Sequence, residues 1–322
     1  MKAVKNILCT IAIPTITFAI AVAICAANGV SLFATNGHWL TFTRAIANVT
    51  LATFALSINL NSGRFDFSIG SVALLSSVIS STICIRYGWG AGVMLILSLV
   101  IGMGLGLLSG LVYVIVKLPP IIVSLAVTLF YEGFAFSVTG GKGVSFINNN
   151  ALLSFANVTN YIIVTAIAIA VIMILFDHTT FGYDYKALMS GQKVSVNTGI
   201  KEISNTLVCY AIAGALMGVQ GFISATNTGT IQMALNFGSI GIMFTAFLPM
   251  FIGGFIGKYS NDKLGYFMGA LSMAFISLIY VRLDVDASVQ KIISAALLVV
   301  FLIYLNNQGK LVRLFKSKGY TE

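Results

Sequence analysis

Phe176–Glu202, FDHTTFGYDYKALMSGQKVSVNTGIKE, is the only long polar stretch of this chain with hydrophobic runs on both sides. It carries Lys186, Lys193 and Lys201 beside Asp177, Asp184 and Glu202. Each such charge would cost several kcal/mol in hydrocarbon, so the stretch lies outside a bilayer and the runs flanking it lie within one. Working outward, the runs fall at about 7–27, 45–60, 67–86, 91–116, 119–138 and 158–176 before it, and at about 203–225, 239–256, 264–281 and 288–305 after it. Each is close to the roughly 20 residues that cross a bilayer as a helix. The expected fold is therefore all-α: a polytopic membrane protein with about ten transmembrane helices, built as one domain over residues 1–322, with a cytoplasmic segment at about 177–202.

Composition agrees. Of the 322 residues 58% are hydrophobic and only 8% charged, and the mean hydropathy is +0.98, whereas soluble domains are about 25% charged. Residues 7–27 are long enough to span, so a removable leader is a poor reading of the N-terminus. The net charge of +9 would suggest nucleic acid in a soluble protein, but here the cations sit in short connections, and no nucleic-acid partner is expected. Cys9, Cys25, Cys84 and Cys209 all fall in apolar runs without metal or disulfide spacing, and His38 and His178 stand in separate loops, so no metal site is expected. Thr139–Val144 (TGGKGV) lacks the spacing of a phosphate loop.

With the N-terminus inside, the cytoplasmic side receives Lys2, Lys5, Arg64, Lys117, Lys186, Lys193, Lys201, Lys258, Lys263, Lys310, Arg313, Lys316 and Lys318. The outer side receives only Arg44, Arg86, Lys142, Arg282 and Lys291. Thirteen against five places both termini in the cytoplasm. The outer connections, 28–43, 139–157 and 226–237, are polar and poor in charge and read as caps. Asp284 and Asp286 read as a solvated outer turn, with a receptor contact as the alternative.

Four features carry functional expectations. Gly63–Gly70 (GRFDFSIG) breaks the chain between the second and third spans, with Ser68 placed to cap the next helix. It is either an interfacial turn with a solvated Arg64–Asp66 pair or a discontinuous helix lining a pathway. Glu132, two turns from the outer end of the fifth span, is a functional carboxylate or one that snorkels to the interface. Gly102, Gly106 and Gly110 recur every four residues, with Ser109 beside the last, and mark a close helix contact that is more simply intrachain than with a second copy. In the polar stretch, Tyr183–Thr198 can form a short helix. Tyr183, Tyr185, Leu188, Met189 and Val194 are more apolar than a solvated loop requires, which suggests a surface covered by a partner rather than by lipid headgroups.

At these residues the chain resembles the permease subunit of ribose-type ABC importers, over nearly its whole length. The resemblance rests on Gly63-Arg-Phe-Asp-Phe-Ser-Ile-Gly70, on Gly106-Leu-Leu-Ser-Gly110 continuing through Lys117-Leu-Pro-Pro-Ile-Ile-Val-Ser-Leu125, and on Gly182, Ala187, Gly199 and Ile200 at family spacing. It implies a second permease copy or paralogue forming the pathway, a cytoplasmic ATPase docking around Gly182–Ile200, and an extracytoplasmic solute-binding protein. ATP and Mg would reside on the ATPase, leaving this chain without cofactor or covalent chemistry. The chain departs from the family pattern at Ser190–Ser195, at Glu132-Gly133 where Arg-Gly is usual, and at Pro249 before Ile252–Lys258; these departures suit one half of a heterodimeric permease.

The expectation is thus a permease subunit of the bacterial cytoplasmic membrane, surrounded by lipid, that moves a small polar solute, a monosaccharide, inward by alternating access. The pathway residues would be Arg64, Asp66, Ser68 and Glu132; the coupling residues Gly182, Tyr185, Ala187, Gln192, Lys193 and Gly199. The alternatives are a nucleoside or branched-chain amino-acid permease of the same class, and an ion-coupled secondary transporter with Glu132 or Asp66 as its ion site.

Overall fold

The computed structural model describes the backbone of residues 2–318 and the side chains of residues 6–307. The side chains of Lys2, Lys5, Lys310, Arg313, Lys316 and Lys318, counted above for orientation, lie outside the described residues. The chain runs α1 (Lys2–Ala27), α2 (Asn36–Asn61), α3 (Ile69–Tyr87), α4 (Ala91–Val116), α5 (Pro120–Thr139), β1 (Val144–Ser145), α6 (Asn150–Leu153), α7 (Val158–Asp177), α8 (Thr180–Ser190) and α9 (Gln192–Asn197). It continues through α10 (Glu202–Thr228), β2 (Thr230–Ile231), α11 (Ile240–Phe244), α12 (Phe247–Gly257), α13 (Asp262–Arg282) and α14 (Ala287–Lys318). Among the described residues ten segments are long and apolar enough to cross a membrane, with α11 and α12 together supplying the eighth. A helix satisfies its own backbone in lipid, which is why apolar runs of this length take no other form.

Two spans differ from expectation. The second begins at Asn36 rather than near 45, because His38 sits in the first turn of α2 and its Nδ1 accepts from the backbone N–H of Thr35 at 3.1 Å. His38 and Trp39 therefore belong to a helix, not to a loop. The eighth span is broken between Phe244 and Phe247. Elsewhere boundaries follow local chemistry. Lys117, in the left-handed region at φ 55°, closes α4, and Pro119 with Pro120 starts α5, where the missing amide costs nothing.

α2, α3 and α10 form the interior, whereas α1, α7 and α14 present most of their surface outward. The most extensive helix pair is α4 against α10, and glycine makes it. A Cβ on Gly102 would lie 2.8 Å from the Gly218 Cα, one on Gly106 would meet the Tyr210 carbonyl and the Gly214 backbone, and one on Gly110 would press on the Tyr210 ring. This face packs within the chain, as its spacing suggested. A second seam, between Gly253 and Gly257 of α12 and Gly265 and Gly269 of α13, is equally close.

The serine-rich α3 is buried because Ser71, Ser76, Ser77, Ser80 and Ser81 each return the hydroxyl proton to the carbonyl three residues back. On one end of the bundle the expected caps pair: Val144 lies opposite Ile231 in a two-residue antiparallel ladder, β1 with β2. The four cysteines are free. Asp286 accepts from the Ser288 N–H at 2.8 Å at the start of α14.

Candidate functional site

The break between α2 and α3 is inside the protein. Arg64 and Asp66 are 5% and 3% exposed, which excludes the solvated turn. Nor do they pair with each other. Asp66 Oδ1 accepts from the Ser68 N–H at 2.8 Å and from the Ser68 hydroxyl at 2.6 Å, and its Oδ2 accepts from Asn59 at 3.2 Å. The expected roles are thus exchanged: Ser68 occupies the capping position of α3 but makes no side-chain cap, and the carboxylate two residues earlier supplies it. The Arg64 guanidinium turns the other way, 3.7 Å from Glu202 at the first turn of α10. Ser109, on the α4 face, links this turn to α5 through contacts of 3.4 Å to Ser68 and 3.2 Å to the Tyr131 hydroxyl.

Two helix discontinuities among the described residues meet. Phe65 stacks at 5.8 Å on Phe247, Phe67 lies 6.4 Å from Phe244, and Phe65 and Phe67 touch edge to face at 4.6 Å. Four aromatic rings therefore close the space between the α2–α3 break and the α11–α12 break. Irregular backbone at such depth is tolerated only where protein or a cavity covers it.

Glu132 does not snorkel. It is 1% exposed, and its carboxylate accepts from the backbone N–H of Ser239 at 2.8 Å, the Ser239 hydroxyl at 2.6 Å and the backbone N–H of Phe237 at 3.0 Å. It joins α5 to the chain entering α11. Sequence reading missed Ser239. The signal was present in the recurrence of Ser68-Ile69-Gly70 as Ser239-Ile240-Gly241.

The polar stretch forms two short helices, α8 and α9, not one. Its apolar residues divide: Tyr185 and Leu188 are buried, while Tyr183, Met189 and Val194 are exposed. Tyr185 is no docking group, because its hydroxyl donates to the Ile58 carbonyl at 2.9 Å, near the end of α2; burial pushes its phenol up, so it remains a donor. Gly182 is buried where a Cβ would meet the Phe176 backbone, and Gly199 holds φ at 96° in open space. The Ser195 hydroxyl donates to the Ala187 carbonyl at 2.8 Å, tying α9 to α8. Lys193 and Gln192 are exposed. Gln192 donates to Glu202 at 2.6 Å, so one carboxylate touches both α9 and the buried Arg64. Lys186 pairs with Asp177 at 2.6 Å, and Asn261 donates to the same carboxylate at 2.7 Å.

Comparison with known proteins agrees with this architecture. The family described as "Branched-chain amino acid transport system / permease component" matches residues 40–302. The autoinducer 2 import system permease protein LsrC of Yersinia enterocolitica is 23% identical over 250 residues, 75% of this chain and 67% of that protein. The galactofuranose transporter permease protein YtfT of Escherichia coli is 24% identical over 213 residues, 65% and 61% of the two chains. The ribose import permease protein RbsC of Bacillus subtilis is 25% identical over 203 residues, 60% and 62% of the two chains. No solved structure matches significantly.

Proposed function

The chain belongs to the family of branched-chain amino acid transport system permease components, and on that premise we propose that it is the membrane-spanning subunit of an ATP-driven importer for a monosaccharide. Three relatives carry names of import or transport permeases for autoinducer 2, galactofuranose and ribose, which favours a sugar over an amino acid. The subunit sits in the cytoplasmic membrane of a bacterium with both termini inside. It pairs with a second permease chain, receives solute from an external binding protein and leaves ATP hydrolysis, with its Mg, to a separate cytoplasmic chain.

The observation that carries the mechanical part is the Glu202 junction. Gln192 of α9, Arg64 of the buried break and the start of α10 share one carboxylate. Exposed Tyr183, Met189, Val194 and Lys193 offer the ATPase a mixed surface on the same segment. A push on α9 then reaches the break between α2 and α3, where four aromatic rings separate when the pathway opens. This is two-state coupling, in which the motor binds one arrangement better than the other. Asp66 and Glu132 are already filled by N–H and O–H donors, which disfavours either as the site of an ion-coupled carrier.

The test is reconstitution of the protein with its co-purifying ATPase in liposomes, with uptake of labelled D-ribose, D-xylose and D-galactose measured with and without ATP. ATP-dependent uptake of a sugar is expected, and Gly199→Leu should leave ATP hydrolysis running while uptake falls. Uptake that follows an ion gradient without any ATPase would overturn the reading.

A further inference from the structure

A cavity of about 380 Å³ lies between α3 and α10, bounded by β2 and by Ile242 of α11. Its size is at the lower end of the roughly 300–1,000 Å³ of small-molecule sites. α10 is 27 residues long, about 40 Å at 1.5 Å per residue. The cavity sits at its Thr228 end, opposite the end that meets α9. Toward α9 its lining ends at Ala73, one turn beyond Gly70, and at Ile242 of α11. The walls are held close, because Gly221 of α10 lies where a Cβ would strike the Ala73 carbonyl.

The chemistry of the lining is selective. Its polar groups are Ser77, Gln220, Ser224, Thr228, Thr230 and Gln232, and no ionisable side chain among the described residues contributes. Gln220 is 8% exposed, yet its carbonyl oxygen Oε1 has no hydrogen-bond partner. A buried amide oxygen left empty costs free energy, which the Gln220 carboxamide would recover by turning its Oε1, closed off from the cavity as the side chain stands, onto a hydroxyl donor within it. A zwitterion or an anion would meet no countercharge here, whereas a neutral polyol would meet amides that both donate and accept and hydroxyl oxygens that accept, the Ser77 and Thr228 protons being given to the Leu74 and Thr230 carbonyls.

We propose that this cavity holds the solute during passage, that it takes neutral polyhydroxylated molecules of monosaccharide size, and that the Gln220 carboxamide is the group that binds their hydroxyls. The sugar class rests on the function proposed above; the location of the site does not.

The test uses the protein in lipid nanodiscs with Cys9→Ser and Ser224→Cys, the remaining native thiols being buried. A small hydrophilic methanethiosulfonate reagent should label the new thiol. D-ribose, D-xylose or D-galactose at about 100 mM should slow labelling about threefold or more, as occupancy by a weak ligand requires, and L-leucine should not. Adding Gln220→Leu should leave labelling in place and abolish the protection, with Gln220→Asn intermediate. Absence of labelling, labelling that no sugar slows, or protection that survives Gln220→Leu would each overturn the site. If L-leucine protects instead of sugars, the sugar class falls here and in the proposed function together. If ATP-driven sugar uptake persists unchanged in Gln220→Leu, the site falls alone.

Discussion

Two buried carboxylates stand at the two places where a helix begins inside the bundle, and they are held alike. Asp66 takes the N–H and O–H of Ser68; Glu132 takes the N–H and O–H of Ser239. Each serine opens a Ser-Ile-Gly triplet, and the triplets touch, since Gly70 lies against the Ser239 carbonyl. What differs is the origin of the acid. Asp66 comes from two residues upstream on the same turn, whereas Glu132 comes from another span, 107 residues away from its serine. The first is a cap, and the second is a tie between α5 and α11. A cap can relax with its own turn, but a tie has no local substitute.

That contrast sets the two largest expected effects. Glu132→Ala leaves two backbone N–H groups and a hydroxyl buried without an acceptor, and should cost about 3–5 kcal/mol, in the range of a broken buried charge network. Asp66→Ala strands the Ser68 donors and the Asn59 amide, and should cost about 2–3 kcal/mol, because the 62–68 turn can shift to find other carbonyls. Unfolding in mixed micelles of increasing sodium dodecyl sulfate fraction measures both. Equal losses would erase the distinction between cap and tie, and a larger loss at Asp66 would reverse it.

The same contrast explains what the sequence could tell. The ten spans are legible because each hydrophobic run decides its own state, whatever its neighbours do. The intrachain packing of Gly102, Gly106 and Gly110 is legible for a similar reason: small residues four apart mark a close face, though not the partner, which proves to be Gly214 and Gly218 of α10. Glu132 was visible as an intramembrane acid, but its partners come from a segment far along the chain, and the repeated Ser-Ile-Gly triplet that marks Ser239 does not say which acid it meets. The Arg64–Asp66 proximity in sequence was misleading, because two residues apart on a turn they face opposite ways, one toward Glu202 and one toward Ser68. Gln220 carries no pattern at all; only burial with an empty oxygen marks it.

Glycine at the third place of each triplet sharpens the comparison. A methyl on Gly70 would run into the Ser239 carbonyl, while Gly241 faces open space. Gly70→Ala should force the two breaks apart and cost about 1–3 kcal/mol, as overpacking does. Gly241→Ala should be neutral or stabilising by up to about 1 kcal/mol, the ordinary gain of alanine over glycine in a helix. Because the aromatic rings of Phe65 and Phe247 share the seam, Gly70→Ala should also raise solute leak through the unenergised protein. Similar stability for the two variants would mean that the breaks do not bear on one another.

The smallest expected effect is the most specific. Ser68→Ala and Ser239→Ala each delete one hydroxyl donor while the backbone N–H to the same carboxylate remains, so each should cost only about 1 kcal/mol. Ser68 has a second contact, to Ser109 at 3.4 Å, which is at the limit of a hydrogen bond and adds little. The singles therefore cannot tell the cap from the tie, but their cycles can. Combined with Glu132→Ala, Ser239→Ala should show a coupling of about 1 kcal/mol, because both changes remove the same hydroxyl–carboxylate bond between two spans. Ser68→Ala combined with Glu132→Ala should be additive within about 0.3–0.5 kcal/mol, the usual margin for sites with no shared partner. If the second pair also couples, the touching triplets transmit strain from one carboxylate to the other, and the two breaks open as one element rather than two.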